Sequence, residues 1–209
     1  MSRPLVVTDC DEVLLHMVRH FRNWLESTQD VDFDMTGQNF ARSMKRRDSK
    51  EPMGEAEMWD LLWRFFDSEM HTQTVIEGAV DAIAELQRVA DVVVLTNLAD
   101  ERNAARTRQL REFGINARVY TNQGPKGAML SRIVHEHTPS QALFIDDIAG
   151  HHASARDIAP QVHRLHFCGE PALAPHVPCA YEAGNAHARI DTWAEALPWV
   201  LETLHGDQP

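Results

Sequence analysis

Three runs in this chain are apolar, largely β-branched and free of polar alternation: LVVT at 5–8, VVVL at 92–95 and ALFI at 142–145. A strand buried on one face alternates apolar with polar residues, whereas a strand covered on both faces does not. The runs therefore predict the inner strands of a parallel sheet with helices on either side. A fourth run, Val162 to Phe167, is interrupted by His163, Arg164 and His166, and a weaker one lies at Ala117 to Thr121. Helical periodicity fills the intervals. Val80, Ile83, Leu86 and Ala90 fall on one helix face before the second run, and Met129, Leu130, Ile133 and Val134 make a stripe behind Pro125, a residue suited to a first helical position. A closing helix is expected around Trp193, Leu197, Val200, Leu201 and Leu204, kinked or split at Pro198. Strand and helix alternate, so the fold class is α/β.

Residues 16 to 74 break the alternation. HMVRHFRNWLEST places Val18, Phe21, Trp24 and Leu25 at helical spacing, and EAEMWDLLWRFFDSEM does so with Met58, Trp59, Leu62, Phe65 and Phe66. With no strand legible between them, the segment reads as an all-helical insertion with a small core of its own. The expected division is a core domain of 1–15 and 75–209 and an inserted domain of 16–74.

The net charge of −11 disfavours nucleic acid and anionic membrane as partners. The one basic cluster, ARSMKRRDSK, with Arg42, Lys45, Arg46, Arg47 and Lys50, is expected to be a solvated helix face; its functional alternative is recognition of a second anionic group on a substrate. The N-terminus meets acidic residues before it builds the ~7 to 15 residue apolar core of a signal peptide, and no run approaches the ~18 residues of a membrane span. Cys10, Cys168 and Cys179 form no close pair, so a reduced, cytoplasmic setting is expected. The histidines show no metal-ligand spacing, and His151 and His152 are expected at the surface or beside ligands rather than as ligands themselves.

Chemistry is expected at the carboxyl ends of the strands, where open parallel sheets bind ligands. The first run ends in Asp9 and Asp11, the second in Thr96 and Asn97, and the third in Asp146 and Asp147. Four carboxylates at one edge repel unless a cation lies among them, and hard oxygen ligands select magnesium. Lys126 opens a helix, where the helix dipole disfavours its charge by roughly 0.3 to 1 kcal/mol, so an acidic partner is expected for it.

The ordered set DCDEV, VVVLTN, GPK and FIDD, spread over residues 5 to 147, resembles the haloacid dehalogenase superfamily in its phosphatase branch. The resemblance implies a Rossmann-like parallel sheet, with the insertion as a cap over the active site. It also implies a magnesium-dependent phosphohydrolase acting on a small phosphorylated metabolite through an aspartyl-phosphate. In that reading Asp9 is the nucleophile and a metal ligand, and Asp11 is the general acid and base, its main-chain carbonyl also meeting the metal. Thr96 and the Asn97 amide hold the phosphoryl oxygens, Lys126 neutralises charge on nucleophile and phosphate, Asp146 ligates magnesium, and Asp147 ligates it or orients a bound water. The spacing of Asp9 and Asp11 suits the pair, because alternate strand residues share a face. Glu12 departs from the glycine usual at its position, and Gly150 stands where many members carry a further aspartate. A phosphomutase, or a catalytically silent phosphate-binding protein on the same fold, is the alternative. Substrate identity and oligomeric state are not legible.

Overall fold

The computed structural model describes residues 2–36, 40 and 42–206. In chain order its elements are β1 (Leu5–Thr8), β2 (Leu15–His16), α1 (Val18–Thr28), β3 (Val31–Phe33), β4 (Met44–Arg46), α2 (Glu55–Glu69), β5 (Thr74–Val75) and α3 (Ala79–Val89). They continue with β6 (Asp91–Thr96), α4 (Asn103–Glu112), β7 (Arg118–Thr121), α5 (Gly127–His137), β8 (Ala142–Asp146), α6 (Ala149–Ile158), β9 (His163–His166), β10 (Ala188–Arg189) and α7 (Trp193–His205). Six strands form one sheet in the order β10-β9-β8-β1-β6-β7, and every neighbouring pair is parallel. The fold is α/β and Rossmann-like.

The unalternated runs are inner strands. Leu5 and Val7 of β1 join the cluster that contains Leu130 and Ile133 of α5, while Val6 joins Ile83 and Leu86 of α3 and Val200 of α7 on the other side. Successive side chains of a strand point to opposite faces, so a strand buried on both must be apolar at every position. The sheet order places β1 between β6 and β8, which brings three carboxyl ends together.

The closing helix is not split. α7 runs through Pro198, which deprives it of one backbone donor. Burial of Trp193, Ala196, Val200 and Leu204 along one face holds it together. The indole N–H of Trp193 donates to the Val13 carbonyl at 2.9 Å, fastening the helix to the loop that follows β1. Gly78 lets α3 start beside it, with φ +79° and a Cβ position only 3.2 Å from the Trp193 Cβ.

The inserted segment is not helix throughout. Between α1 and α2 lies an antiparallel hairpin of β3 and β4. Its Val31, Phe33 and Met44 pack with Phe21 and Leu25 of α1 and Phe65 of α2. The basic cluster lies on this hairpin and its turns rather than on a helix. Arg46 pairs with Glu57, while Arg47 and Lys50 meet Asp32 at 3.1 and 2.9 Å. At the two ends of the insertion β2 and β5 pair antiparallel, so the chain leaves and re-enters the core side by side. No described helix is long and apolar enough to cross a membrane.

α5 and α6 meet at Gly127, where an added Cβ would lie 2.3 Å from the Ser154 carbonyl oxygen. Gly127→Ala is expected to cost about 1–3 kcal/mol, the usual penalty of overpacking. Gly150→Ala, whose Cβ meets nothing closer than Ile148 at 4.0 Å, should be neutral or stabilising by up to about 1 kcal/mol. Urea denaturation of the two variants checks the contrast, and equal stabilities would remove the close contact as its cause.

Candidate active site

Asp9 follows the last residue of β1, Thr96 ends β6 and Asp146 ends β8. All three are buried, as is Lys126 at the start of α5. The Lys126 ammonium lies 2.8 Å from Asp9 Oδ1 and 2.7 Å from Asp146 Oδ2, which supplies the acidic partners that its place at a helix N-terminus required. Asp9 Oδ1 also accepts the Cys10 N–H at 2.6 Å, and no described hydrogen bond uses Oδ2. One oxygen is committed; the other is not.

The charges do not cancel. Burial, followed by Asp146 and Asp11, pushes the Asp9 carboxyl up to about 7 although Lys126 opposes it. Burial, then Asp146, Asp9 and Glu12, pushes Asp147 well above the carboxylate range. Burial acts against Asp146 too, but Lys126, with His151 and His152, holds it below its ordinary value. Asp9, Asp146 and Asp147 each offer an oxygen within 4.8 Å of the others. Three carboxylates around a single ammonium lack positive charge, and such an all-oxygen donor set fits a hard divalent cation.

Thr96 adds a donor without an acceptor. Its hydroxyl is buried and makes no hydrogen bond. Buried hydroxyls are nearly always paired, so an unpaired one at the end of a central strand points to an oxygen-bearing ligand. The Asn97 side chain donates to the Gly124 carbonyl at 3.0 Å and accepts from Asn122 at 2.9 Å, bracing the loop that leads to Lys126.

Two histidines hold the backbone under the metal-binding candidates. His152 Nε2 lies 2.9 Å from the Asp146 carbonyl oxygen and His166 Nε2 lies 2.7 Å from that of Asp147. Ala180 N–H donates to His166 Nδ1 at 2.9 Å, so the ring proton is on Nε2 and is donated to Asp147. Burial, reinforced by Arg189, pushes this histidine down to about 4 and keeps it neutral. His151 and His152 are both buried rather than at the surface, and His151 faces the Asn97 amide at 3.3 Å.

Glu12, the departure from glycine, adopts φ +60° and is buried. Its carboxyl accepts the N–H groups of Met17 and Val18 at 2.9 and 2.6 Å, capping the start of α1. Burial nevertheless pushes it up to about 8. The sequence suggested a side chain that crowds or recharges the entrance; the structure turns it inward, under the first helix of the insertion.

Asp11 is not free. Arg106 of α4 grips both its oxygens at 2.9 and 3.1 Å, and Gln73 donates to Oδ1 at 2.9 Å. Neither partner was anticipated. NAARTRQLRE reads as an ordinary polar helix, and nothing in its periodicity distinguishes an arginine that is fully buried from one in water.

No family model and no curated protein sequence matches the chain. Solved structures do. A haloacid dehalogenase-like protein of unknown function from Agrobacterium tumefaciens superposes with a TM-score of 0.67 at 17% identity, covering 96% of this chain and 98% of that one. A HAD family hydrolase from Deinococcus radiodurans, with bound phosphate and sodium, gives 0.66 at 17% identity over 96% and 95% of the two chains. A predicted phosphoglycolate phosphatase from Haemophilus somnus gives 0.62 at 14% identity over 94% and 97%. Sheet order, inserted segment and full-length superposition together identify the architecture: this chain has the haloacid dehalogenase-like fold.

Proposed function

We propose that the protein is a magnesium-dependent phosphohydrolase of the haloacid dehalogenase superfamily, hydrolysing a small phosphorylated metabolite by way of an aspartyl-phosphate. The unpaired Thr96 hydroxyl carries this reading. It lies at the end of the strand beside β1, whose own end presents the uncommitted Asp9 Oδ2. A phosphoryl group there would find an acceptor-seeking hydroxyl, a nucleophilic oxygen and a buried ammonium.

The steps follow from these groups. Asp9 Oδ2 attacks phosphorus while Oδ1 stays fixed by Lys126 and the Cys10 amide, which keeps the carboxylate from rotating away. Thr96 donates to a phosphoryl oxygen, with the Asn97 amide as the expected second donor. Lys126 offsets charge on the nucleophile, the electrostatic contribution that dominates phosphoryl transfer. Magnesium, held by Asp9 and Asp146, with the Asp11 main-chain carbonyl and Asp147 as the further expected contacts, would neutralise the phosphoryl oxygens. Asp11 is the expected acid and base, and water then releases inorganic phosphate from Asp9. Residues 16–74 are proposed to act as the cap. In support, Gln73, at the return of that segment, already reaches Asp11. A cytoplasmic setting and a substrate other than nucleic acid or lipid remain part of this reading; the likeness to a predicted phosphoglycolate phosphatase is consistent with a small phosphorylated substrate.

Release of phosphate from p-nitrophenyl phosphate is expected to require a divalent cation, to stop on thorough chelation and to return with added magnesium. Undiminished activity after chelation would refute the metal requirement. Asp9→Asn should abolish both turnover and covalent capture of phosphate, read by mass spectrometry of the denatured protein; retained turnover would exclude Asp9 as nucleophile.

Thr96→Val separates function from stability. Loss of a hydrogen bond to a charged phosphoryl group costs about 1.5–3 kcal/mol, so kcat/KM should fall roughly 10- to 100-fold. Because the hydroxyl has no partner in the free protein, the same variant should be at least as stable as the parent in urea. A stability loss without a kinetic one would make Thr96 merely structural.

A further inference from the structure

We propose that Glu12, His16 and Glu170 form a mixed nitrogen–oxygen site for a transition-metal dication of the zinc type, at the joint between the core and the insertion. The site shares no ligand with the Asp9, Asp146 and Asp147 edge and does not depend on the phosphohydrolase reading.

Each of the three residues offers one ligand atom, and these atoms all lie within 4.8 Å of one another. His16 is 8% exposed, Glu170 2% and Glu12 1%. Two of the donors are unspent. Among the described residues neither the buried Glu12 Oε2 nor the buried His16 Nδ1 has a hydrogen-bond partner. His16 Nδ1 lies 3.1 Å from Glu170 Oε2, but without the alignment of a hydrogen bond. Buried polar atoms are nearly always paired, so two orphans within one such cluster point to an electron-pair acceptor between them. Two donors on a tetrahedral zinc, each about 2.0–2.1 Å from it, are about 3.4 Å apart. His16 and Glu170 are already close to that separation.

The backbone holds the three ligands near one another. Glu12 N–H donates at 2.8 Å to the carbonyl of Leu15, the neighbour of His16, and the N–H of Gly169, the neighbour of Glu170, donates to the Glu12 carbonyl at 2.7 Å. The half-exposed Arg19 also holds Glu170, at 2.8 and 3.0 Å, and Ala172 N–H donates to its Oε1 at 3.1 Å. Carboxylates that ligate metals are commonly oriented by such outer contacts.

The donor set decides the metal. Magnesium takes oxygen ligands, whereas one imidazole with two carboxylates suits zinc and its neighbours, with a fourth position left to water. An ion has a way in. His16 lines a cleft of about 840 Å³ whose wall carries Glu77, Asp81, Asp191 and Glu195 against Arg19. That surplus of negative charge concentrates cations. Bound there, the ion would fasten together the loop after β1, the strand β2 at the start of the insertion and the loop after β9.

The test is calorimetric titration of metal-free protein with zinc, with magnesium in excess so that the acidic edge is already supplied. One zinc per chain is expected to bind and, at about 100-fold over its Kd, to raise the melting temperature by about 5–10 °C. His16→Gln and Glu170→Gln should each weaken binding at least about 10-fold, the lower range of what even an outer contact to a metal ligand is worth, and shrink the thermal shift. Asp146→Asn should keep both. Anomalous diffraction at the zinc edge from wild-type crystals needs no variant, and a peak between Glu12, His16 and Glu170 is expected. A peak only at the Asp9–Asp146 edge or on surface histidines, an affinity unchanged by both glutamine variants, or no binding of zinc at all would overturn the proposal. None of these results bears on phosphate release, so the phosphohydrolase reading stands or falls separately.

Discussion

A single buried ammonium ties the site together. Lys126 bridges Asp9 after β1 and Asp146 at the end of β8, and all three are removed from water. Breaking such a group by removing one partner typically costs about 3–5 kcal/mol, because it strands a charge in a medium that solvates it poorly. Everything near it follows from that constraint. β1 and β8 must be neighbours in register, and α5 must start where the lysine can reach both acids. Gly127, next in the chain, has no side chain because α6 passes within contact of its backbone. The two histidines beneath β8 then hold the carbonyls of Asp146 and Asp147, so the acidic edge is supported from below as well as neutralised from one side.

Glu12 shows how a local strain is balanced by a tertiary gain. A side chain at φ +60° costs roughly 1–2 kcal/mol where glycine would cost little. In return its carboxyl satisfies two backbone donors at the start of α1, a kind of contact typically worth about 1 kcal/mol. The site loop and the first helix of the insertion are joined through one side chain. Arg19 and Glu170, at 2.8 and 3.0 Å, and Arg102 and Asp67, at 2.8 and 2.9 Å, add two more links between the insertion and the rest of the chain.

The Asp11 network and the Lys126 bridge divide the labour between two buried cations. Lys126 pairs with Asp9 and Arg106 with Asp11, so the two carboxylates that leave β1 together are placed in different electrostatic settings. Two identical side chains two residues apart thereby acquire distinct surroundings, which spacing along a strand cannot distinguish.

Local pattern was enough for the strands and for the groups at their ends. LVVT, VVVL and ALFI announce burial on both faces because any polar residue in them would meet a helix, and Asp9, Thr96 and Asp146 follow because a parallel sheet presents its carboxyl ends along one edge. The need of Lys126 for acidic partners was also legible, since a cation at a helix N-terminus is locally unfavourable. Tertiary structure alone decided the rest. The β3–β4 hairpin consists of three-residue strands, too short for a period to emerge, and is held by packing on α1 and α2 rather than by its own pattern. The burial of Arg106 depends on Asp11, 95 positions away, and the inward turn of Glu12 depends on a helix that has yet to form when the chain is read residue by residue. Periodicity reports which face of an element is apolar; it carries no information about which distant charge a polar side chain will meet, because that is set by how the elements pack.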